Sequence, residues 1–237
     1  MTQPVPASSV IVARDIEGAI EIFMLRRSAK SSFVPDVYVF PGGRVDPADR
    51  LPEASARVAG HTAPLEPAFA YAAARETFEE AGLLFASSAI PASALGTARA
   101  QLLAGNRTFT QTLDDLATLV DGTALRYFSR WITPQAEPRR FDARFFVARA
   151  PAGQIAQADS FETEDGLWLT PHGALARYRA GSLRLIFPTI KHLERLERFA
   201  SVDALVEFAQ SKSIVPVLPD MSADSRIVMD PALENVW

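Results

Sequence analysis

The fold of this chain is decided by the stretch RETFEEAGL, residues 75–83. This stretch closes an alanine-rich segment, residues 68–81, which contains no glycine or proline and is followed by Gly82, a residue that commonly ends helices. An apolar stripe recurs in the segment at helical spacing, through Ala70, Ala74, Phe78 and Ala81. The sequence therefore predicts a helix over 68–81 that packs on a core through this stripe.

Three carboxylates share one face of this predicted helix. Glu76, Glu79 and Glu80 are spaced i, i+3 and i+4, and they lie near the helix C-terminus, where the helix dipole disfavours anions. Arg75 neutralises one or two of them at most, so a bound divalent cation is the natural counter-charge for the rest. Oxygen ligands favour Mg²⁺, Mn²⁺ or Ca²⁺ over zinc. The alternative is a solvated acidic face, since charge runs are common on helices.

Strand and helix patterns alternate on both sides of this segment. Apolar and β-branched residues over 8–13 and 19–25 predict a hairpin, and a short strand over 37–40 stops at Pro41-Gly42-Gly43. Further strands are predicted at 83–86, 126–132, 140–149 and 167–169, and helices at 91–104, 110–120, 172–179, 189–200 and 201–210. Hairpins combined with alternating strands and helices predict an α/β (α+β) fold, with helices on both faces of a mixed sheet.

The composition excludes several functional classes. The 237 residues include no cysteine, which excludes disulfides, zinc–thiolate sites, iron–sulfur clusters and a thiol nucleophile. The three histidines are far apart in the sequence, which argues against a histidine-rich metal centre. The net charge of −4 argues against a dedicated nucleic-acid binder. No apolar run is long and uninterrupted enough to span a bilayer. We therefore expect a soluble cytoplasmic protein.

The glutamate-rich stretch resembles the second half of the Nudix box, GX5EX7REUXEEXGU, in which U is aliphatic. Thr77 is the only departure from this half, and the segment Phe40-Pro41-Gly42-Gly43 resembles the first half. The resemblance implies a single Nudix-type domain over 1–237, built as an α/β/α sandwich with a mixed sheet. Segments 91–120 and 189–210 are then extra helices.

An insertion at 44–67 separates the two halves of the box. Arg75 follows Gly43 by 32 positions, whereas the family pattern has 14, so 18 extra residues intervene. Counting back from Arg75 places the first box glutamate at Pro67, and counting forward from Gly43 places it at Asp49. We expect the insertion to loop away while Gly43 and the helix still meet.

The resemblance implies metal-dependent hydrolysis of a pyrophosphate bond. It assigns binding of the divalent ions, expected to be Mg²⁺ or Mn²⁺, to Glu76, Glu79, Glu80 and the backbone carbonyl of Gly43. Glu76 is either a ligand or a metal-linked base, and Arg75 orients the carboxylates by ion pairing. The metals neutralise the diphosphate and lower the pKa of a bound water.

Many Nudix enzymes take a further base or ligand from a loop before a late strand. In this chain Glu162, six residues before Trp168, best matches the usual spacing. Glu164 and Asp165 are alternatives in the same loop, and a plain acidic loop without a catalytic role is another. The predicted catalytic residues are thus Arg75, Glu76, Glu80 and Glu162.

Basic residues before the box are candidates for substrate binding. The run 25–29, LRRSA, resembles the start of the motif that marks coenzyme A diphosphatases among Nudix proteins, although the spacing to FPGG is one residue short. Arg26, Arg27 and Lys30 suit a substrate with an extra phosphate, or are ordinary surface charge. Neighbours on a strand face opposite sides, and we favour Arg27 as the residue in the cleft.

The split box and the segment 140–146 resemble the peroxisomal coenzyme A diphosphatase branch, so coenzyme A or acyl-CoA is the first expected substrate. ADP-ribose or a dinucleotide is the second. A non-catalytic Nudix-like nucleotide-binding regulatory domain is the competing class. The expected partner is a small nucleoside diphosphate derivative, without nucleic acid or membrane, and a homodimer is left open.

Overall fold

A mixed β-sheet is the centre of the computed structural model, which describes residues 2–29, 34–60, 65–159, 162–221, 227–234 and 236–237. The strands among these residues are β1 (Val5–Ile16), β2 (Ala19–Arg27), β3 (Tyr38–Val39), β4 (Gly42–Arg44), β5 (Val58–Ala59), β6 (Val120–Asp121), β7 (Arg126–Ile132), β8 (Phe141–Arg149), β9 (Thr163–Leu169), β10 (Pro216–Val217), β11 (Asp220–Met221) and β12 (Ile227–Val228). The helices are α1 (Pro52–Ser55), α2 (Pro67–Ala81), α3 (Ala92–Leu103), α4 (Phe109–Asp115), α5 (Pro171–Arg179), α6 (Phe187–Leu196) and α7 (Val202–Ser211).

Strand β1 organises the sheet. It forms the predicted antiparallel hairpin with β2, pairs antiparallel with β4, and pairs in parallel with β8 along nine residues. Strands β3 and β9 add to β2, while β7 and β10 extend the sheet beyond β8. Because parallel and antiparallel pairs occur together, the sheet is mixed, as predicted.

Side chains alternate between two cores along the strands, because successive residues of a strand point to opposite faces. On β2, Leu25 packs with the apolar residues of α2, while its neighbour Met24 packs with those of α5, α6 and α7. Helices therefore cover both faces, and the predicted α/β/α sandwich is confirmed. Among the described residues, no helix has both the length and the apolar composition that a bilayer span requires.

Helix α2 begins one residue before its predicted start and ends where predicted. Gly82 adopts a left-handed φ of 69°, and its N–H donates to the carbonyl of Phe78. Thr77, the departure from the family pattern, is fully buried, and its hydroxyl donates to the carbonyl of Ala73 at 2.7 Å. The buried threonine is thus satisfied within the helix. The four residues of the predicted stripe are all buried: Ala70, Ala74, Phe78 and Ala81.

The insertion is partly structured and packs against a later segment. After a 3₁₀ turn at Pro47–Arg50 it forms α1 and then β5, which pairs in parallel with β6. The guanidinium of Arg57 donates to the Asp114 carboxylate of α4 at 2.6 Å. Residues 51–59 and 92–121 therefore form one unit, which we call the auxiliary lobe.

The prediction of a strand over 83–86 is wrong. This stretch makes only an isolated bridge, between Ala86 and Val120. The backbone N–H and carbonyl of Leu84 bond instead to the side-chain amide of Gln154, at 2.8 and 3.0 Å. A side chain thus supplies the partners that a neighbouring strand would have supplied.

Two predicted helices differ from their predicted bounds by more than one residue. The helix predicted over 110–120 ends at Asp115, because Ala117 adopts a positive φ of 49° and the chain then enters β6. The helix predicted over 189–200 begins at Phe187, with Pro188 in its first turn, and ends at Leu196.

His192 lies in the core on the α5–α7 face and is not a candidate for catalysis. Its ring nitrogens contact the hydroxyl of Ser129 at 2.7 Å and the carbonyl of Pro188 at 2.6 Å. Burial lowers the pKa of His192 to about 3, so the ring is neutral at physiological pH.

Candidate active site

The two halves of the split box meet in the structure, as predicted. The N–H of Gly42 donates to the Glu80 carboxylate at 2.9 Å. Gly43 lies so close to Glu76 that a Cβ at position 43 would overlap the Glu76 carboxyl group. Only glycine fits at this position without displacing a carboxylate.

The insertion does not loop away completely, because its first residues stay at the site. The 3₁₀ turn places Asp49 beside Arg75, and the two side chains form a bidentate pair with N–O distances of 3.0 and 2.9 Å. Asp49 is 1% exposed. Counting forward from Gly43 places the first box glutamate at Asp49, whereas counting backward from Arg75 places it at Pro67. The contact between Asp49 and Arg75 favours the forward count.

Arg75 connects this pair to the helix carboxylates. One of its terminal nitrogens donates to Glu76 at 2.8 Å and lies 3.4 Å from Glu79. Burial opposes its charge, but the hydrogen bonds to Asp49 and the surrounding carboxylates raise the pKa of Arg75. Arg75 is thus a cation that pairs with Asp49, Glu76 and Glu79.

The three glutamates are held in an environment that disfavours three negative charges. Burial and the neighbouring carboxylates raise the pKa of Glu76 to about 7 and the pKa of Glu79 above its usual value. Burial and the charge of Glu76 raise the pKa of Glu80 well above its usual value. One arginine therefore does not balance the cluster.

The residues present fit a divalent cation. The donor set consists of carboxylate oxygens and a glycine backbone that approaches Glu76 closely, which suits hard cations such as Mg²⁺ or Mn²⁺. A cation would also offset the charge repulsion that raises the glutamate pKa values. Within the described ranges no three acidic or histidine side chains already surround a common ion position.

Among the three loop acids, the structure brings Glu162 to the cluster. Its charge acts on Glu76, Glu79 and Glu80, raising the pKa of each. Glu164 instead lies 3.2 Å from the guanidinium of Arg26. Asp165 accepts a hydrogen bond from the Tyr38 hydroxyl at 3.1 Å.

The sheet separates two of the three basic candidates. Arg27 follows Leu25 by two residues on β2 and so lies on the α2 face. Its positive charge lowers the pKa of Glu80 there, although burial raises that pKa by more. Arg26 lies on the opposite face and contacts Asp36 and Glu164 at 3.4 and 3.2 Å. The predicted preference for Arg27 therefore agrees with the geometry. Lys30 lies outside the described residues.

Two further residues at the site had no signal in the sequence reasoning. Asp46, at the start of the 3₁₀ turn, lies 3.7 Å from Arg75 and adds another carboxylate beside Glu79. Arg99 of α3 donates to the backbone carbonyl of Glu79 at 2.8 and 3.1 Å. The half-box pattern includes neither position, and only tertiary packing brings them to the helix.

The chain resembles characterised proteins along most of its length. It is 30% identical over 250 aligned positions to the acyl-coenzyme A diphosphatase NUDT19 of Gallus gallus. This alignment covers 82% of this chain and 65% of that protein. It is 27% identical over 213 positions to the putative nudix hydrolase 7 of Caenorhabditis elegans, which covers 90% of this chain and 66% of that protein. The chain thus spans just under two thirds of the length of these relatives.

A solved structure and a family model agree with these similarities. The crystal structure of a NUDIX hydrolase from Alicyclobacillus acidocaldarius matches with a TM-score of 0.75 at 29% identity, covering 87% of this chain and 97% of that one. The family model of the NUDT19 Nudix domain matches residues 53–196, which is more than half of the chain. The split box, the sandwich fold and this match together show that the chain belongs to the Nudix hydrolase family, in the branch of the NUDT19 Nudix domain.

Proposed function

We propose that this protein hydrolyses the pyrophosphate bond of a nucleoside diphosphate derivative, with coenzyme A or acyl-CoA as its first substrate. The observation that carries the proposal is the convergence of Gly43, the buried and half-buried carboxylates of α2 and Glu162, with Arg27 on the same face of the sheet. The relatives named acyl-coenzyme A diphosphatase support the choice of substrate.

The residues that would hold the divalent ions are Glu76, Glu79, Glu80 and the backbone of Gly43. When bound, Mg²⁺ or Mn²⁺ would neutralise the diphosphate and lower the pKa of a coordinated water. The buried, hydrogen-bonded carboxylates provide fixed ligands, because Gly42 holds Glu80 and Arg75 holds Glu76.

Three further side chains of this protein would act on the attacking water, the metal-binding carboxylates and the substrate. Glu162 lies outside α2 and its charge acts on all three glutamates, so its carboxylate is suited to accept a proton from the attacking water. Arg75 keeps the helix carboxylates in place through its bond to Asp49. Arg27 supplies positive charge for a phosphate of the substrate.

The activity is tested with a panel of coenzyme A, acyl-CoA, ADP-ribose and a dinucleoside polyphosphate, each with Mg²⁺ or Mn²⁺. We expect turnover of coenzyme A or acyl-CoA, with splitting of the diphosphate bond seen by mass spectrometry, and complete loss of activity after exhaustive chelation. Readdition of the metal should restore the rate. Turnover that survives chelation would contradict the metal role, and binding of the panel without turnover would favour a regulatory domain.

The role of Arg27 is tested by comparing coenzyme A with its 3′-dephospho form. We expect Arg27→Ala to raise the KM for coenzyme A by roughly 10- to 100-fold more than the KM for the dephospho form, because a charge-assisted hydrogen bond contributes about 1.5–3 kcal/mol. Arg26→Ala is the matched control. Its side chain lies on the other face, bonded to Asp36, so the ratio of the two KM values should not change. Equal effects of Arg27→Ala on both substrates would show that Arg27 does not bind this phosphate.

A further inference from the structure

The loop that precedes Glu162, residues 150–159, is fastened to the end of helix α2. The side-chain amide of Gln154 bonds both backbone groups of Leu84, two residues after the helix cap. The N–H of Gln157 donates to the carbonyl of Ala81, the last residue of the helix, at 2.9 Å. The loop, which follows β8, is therefore hydrogen-bonded to the end of the helix that carries the three glutamates.

Asp159 then fixes the backbone on which Glu162 stands. One oxygen of its carboxylate, Oδ1, accepts hydrogen bonds from the N–H of Glu162 and from the N–H of Thr163, both at 3.0 Å. The Thr163 hydroxyl donates to the same oxygen at 3.2 Å. On its other side, the carbonyl of Glu162 accepts from the N–H of Ser28 at 2.9 Å. Both backbone groups of Glu162 are thus held.

The carboxylate of Asp159 also acts on Arg99, the residue that bonds the carbonyl of Glu79. Burial lowers the pKa of Arg99, and the negative charge of Asp159 partly offsets this effect. Asp159 is therefore linked to the helix by Arg99 and to the loop by its own hydrogen bonds.

We propose that Asp159 is a positioning residue that sets Glu162 at a fixed place against the carboxylates of helix α2. This inference rests on the proposed function of Glu162 and assigns Asp159 no contact with substrate. The hydrogen bonds to the Glu162 and Thr163 backbone fix the position of the backbone from which the Glu162 side chain extends. A shift of about 1 Å at a catalytic group can lower the rate roughly 100-fold.

The test compares Asp159→Ala and Asp159→Asn with the wild type, using coenzyme A and saturating Mg²⁺. We expect Asp159→Ala to lower kcat by roughly 10- to 100-fold with little change in KM, because the reacting groups are misplaced while the substrate contacts remain. Asp159→Asn keeps an oxygen that accepts the same hydrogen bonds, so it should restore most of the rate.

Asp121→Ala is the matched control. Asp121 belongs to the auxiliary lobe, and its Oδ1 likewise accepts from the N–H and the hydroxyl of a nearby threonine, Thr123, at 2.9 and 2.6 Å. It should lower kcat little. Thr163→Val removes the hydroxyl, which donates to Asp159 Oδ1 and accepts from the N–H of Asp159, but it leaves the two backbone N–H bonds to Oδ1. It gives a milder variant if Asp159→Ala does not fold.

Coupling to Glu162 separates a positioning role from a merely structural one. In a Glu162→Gln background, Asp159→Ala should lower kcat no further, because the group that it positions has already lost its function. An equal loss in both backgrounds, or wild-type kcat in Asp159→Ala, would overturn the inference. A wild-type protein that hydrolyses no member of the diphosphate panel would instead refute the proposed function. Wild-type kcat in Glu162→Gln would refute the role of Glu162 and with it the inference.

Discussion

Glu80→Gln is expected to lower kcat by about 100- to 1,000-fold, since a metal-binding carboxylate contributes several kcal/mol of charge stabilisation in the transition state. The folded structure should persist, because glutamine has the same shape and its amide oxygen still accepts from the N–H of Gly42. Removing one of three crowded anions should keep or raise the free energy of unfolding in the absence of metal. Steady-state kinetics and urea unfolding of the same preparation measure both effects.

The control is Glu207→Gln, which makes the same chemical change at an exposed position of α7 on the opposite face of the sheet. It should leave kcat and the free energy of unfolding unchanged. If Glu80→Gln behaves like this control, the carboxylates of α2 form a solvated acidic face rather than a metal site.

Asp49→Ala is expected to lower the free energy of unfolding by about 3 kcal/mol, because removing one partner of a buried ion pair leaves the other charge uncompensated. Arg75 retains Glu76 and Glu79 as partners, so the loss should lie at the lower end for such pairs. We also expect a fall in kcat, since Arg75 then loses the bidentate contact that fixes its direction. Urea unfolding and kinetics at saturating substrate test the two parts.

Asp115→Ala provides the comparison for an exposed pair. Asp115 contacts Arg107 at 2.9 Å with both side chains about half exposed, so its loss should cost less than about 1 kcal/mol. Asp49→Glu tests the assignment further, because it restores the residue type of the family pattern. Equal stability of Asp49→Ala and Asp115→Ala would show that the Asp49 carboxylate contributes nothing to holding Arg75.

Much of the site was predictable because its signals are local. Glu76, Glu79 and Glu80 share one helical face by spacing, and Gly82 marks the end of the helix, so neither conclusion depended on distant contacts. The alternation of side chains along a strand predicted that Arg26 and Arg27 do not both face the cleft, and the two cores of the structure reproduce this alternation. The choice of Arg27 came from the resemblance of Arg27-Ser28-Ala29 to the coenzyme A diphosphatase motif.

The remaining features depend on contacts between distant residues. The sequence offered Pro67 and Asp49 for the first box glutamate, and only the folded insertion selects Asp49. The strand predicted over 83–86 failed for a similar reason, because its β-like composition does not reveal that the side chain of Gln154 occupies its backbone groups. Local propensity describes a segment, whereas its hydrogen-bond partners are set by the whole fold.

The auxiliary lobe has a consequence for the history of the family. Its strands β5 and β6 come from segments about sixty residues apart, and each pairs its backbone with the other. Arg57 and Asp114 connect the same two segments through an ion pair. A chain that lost either segment would expose the unpaired backbone and the unpartnered charge of the other. The two segments are therefore expected to be inherited, and lost, as a single evolutionary unit.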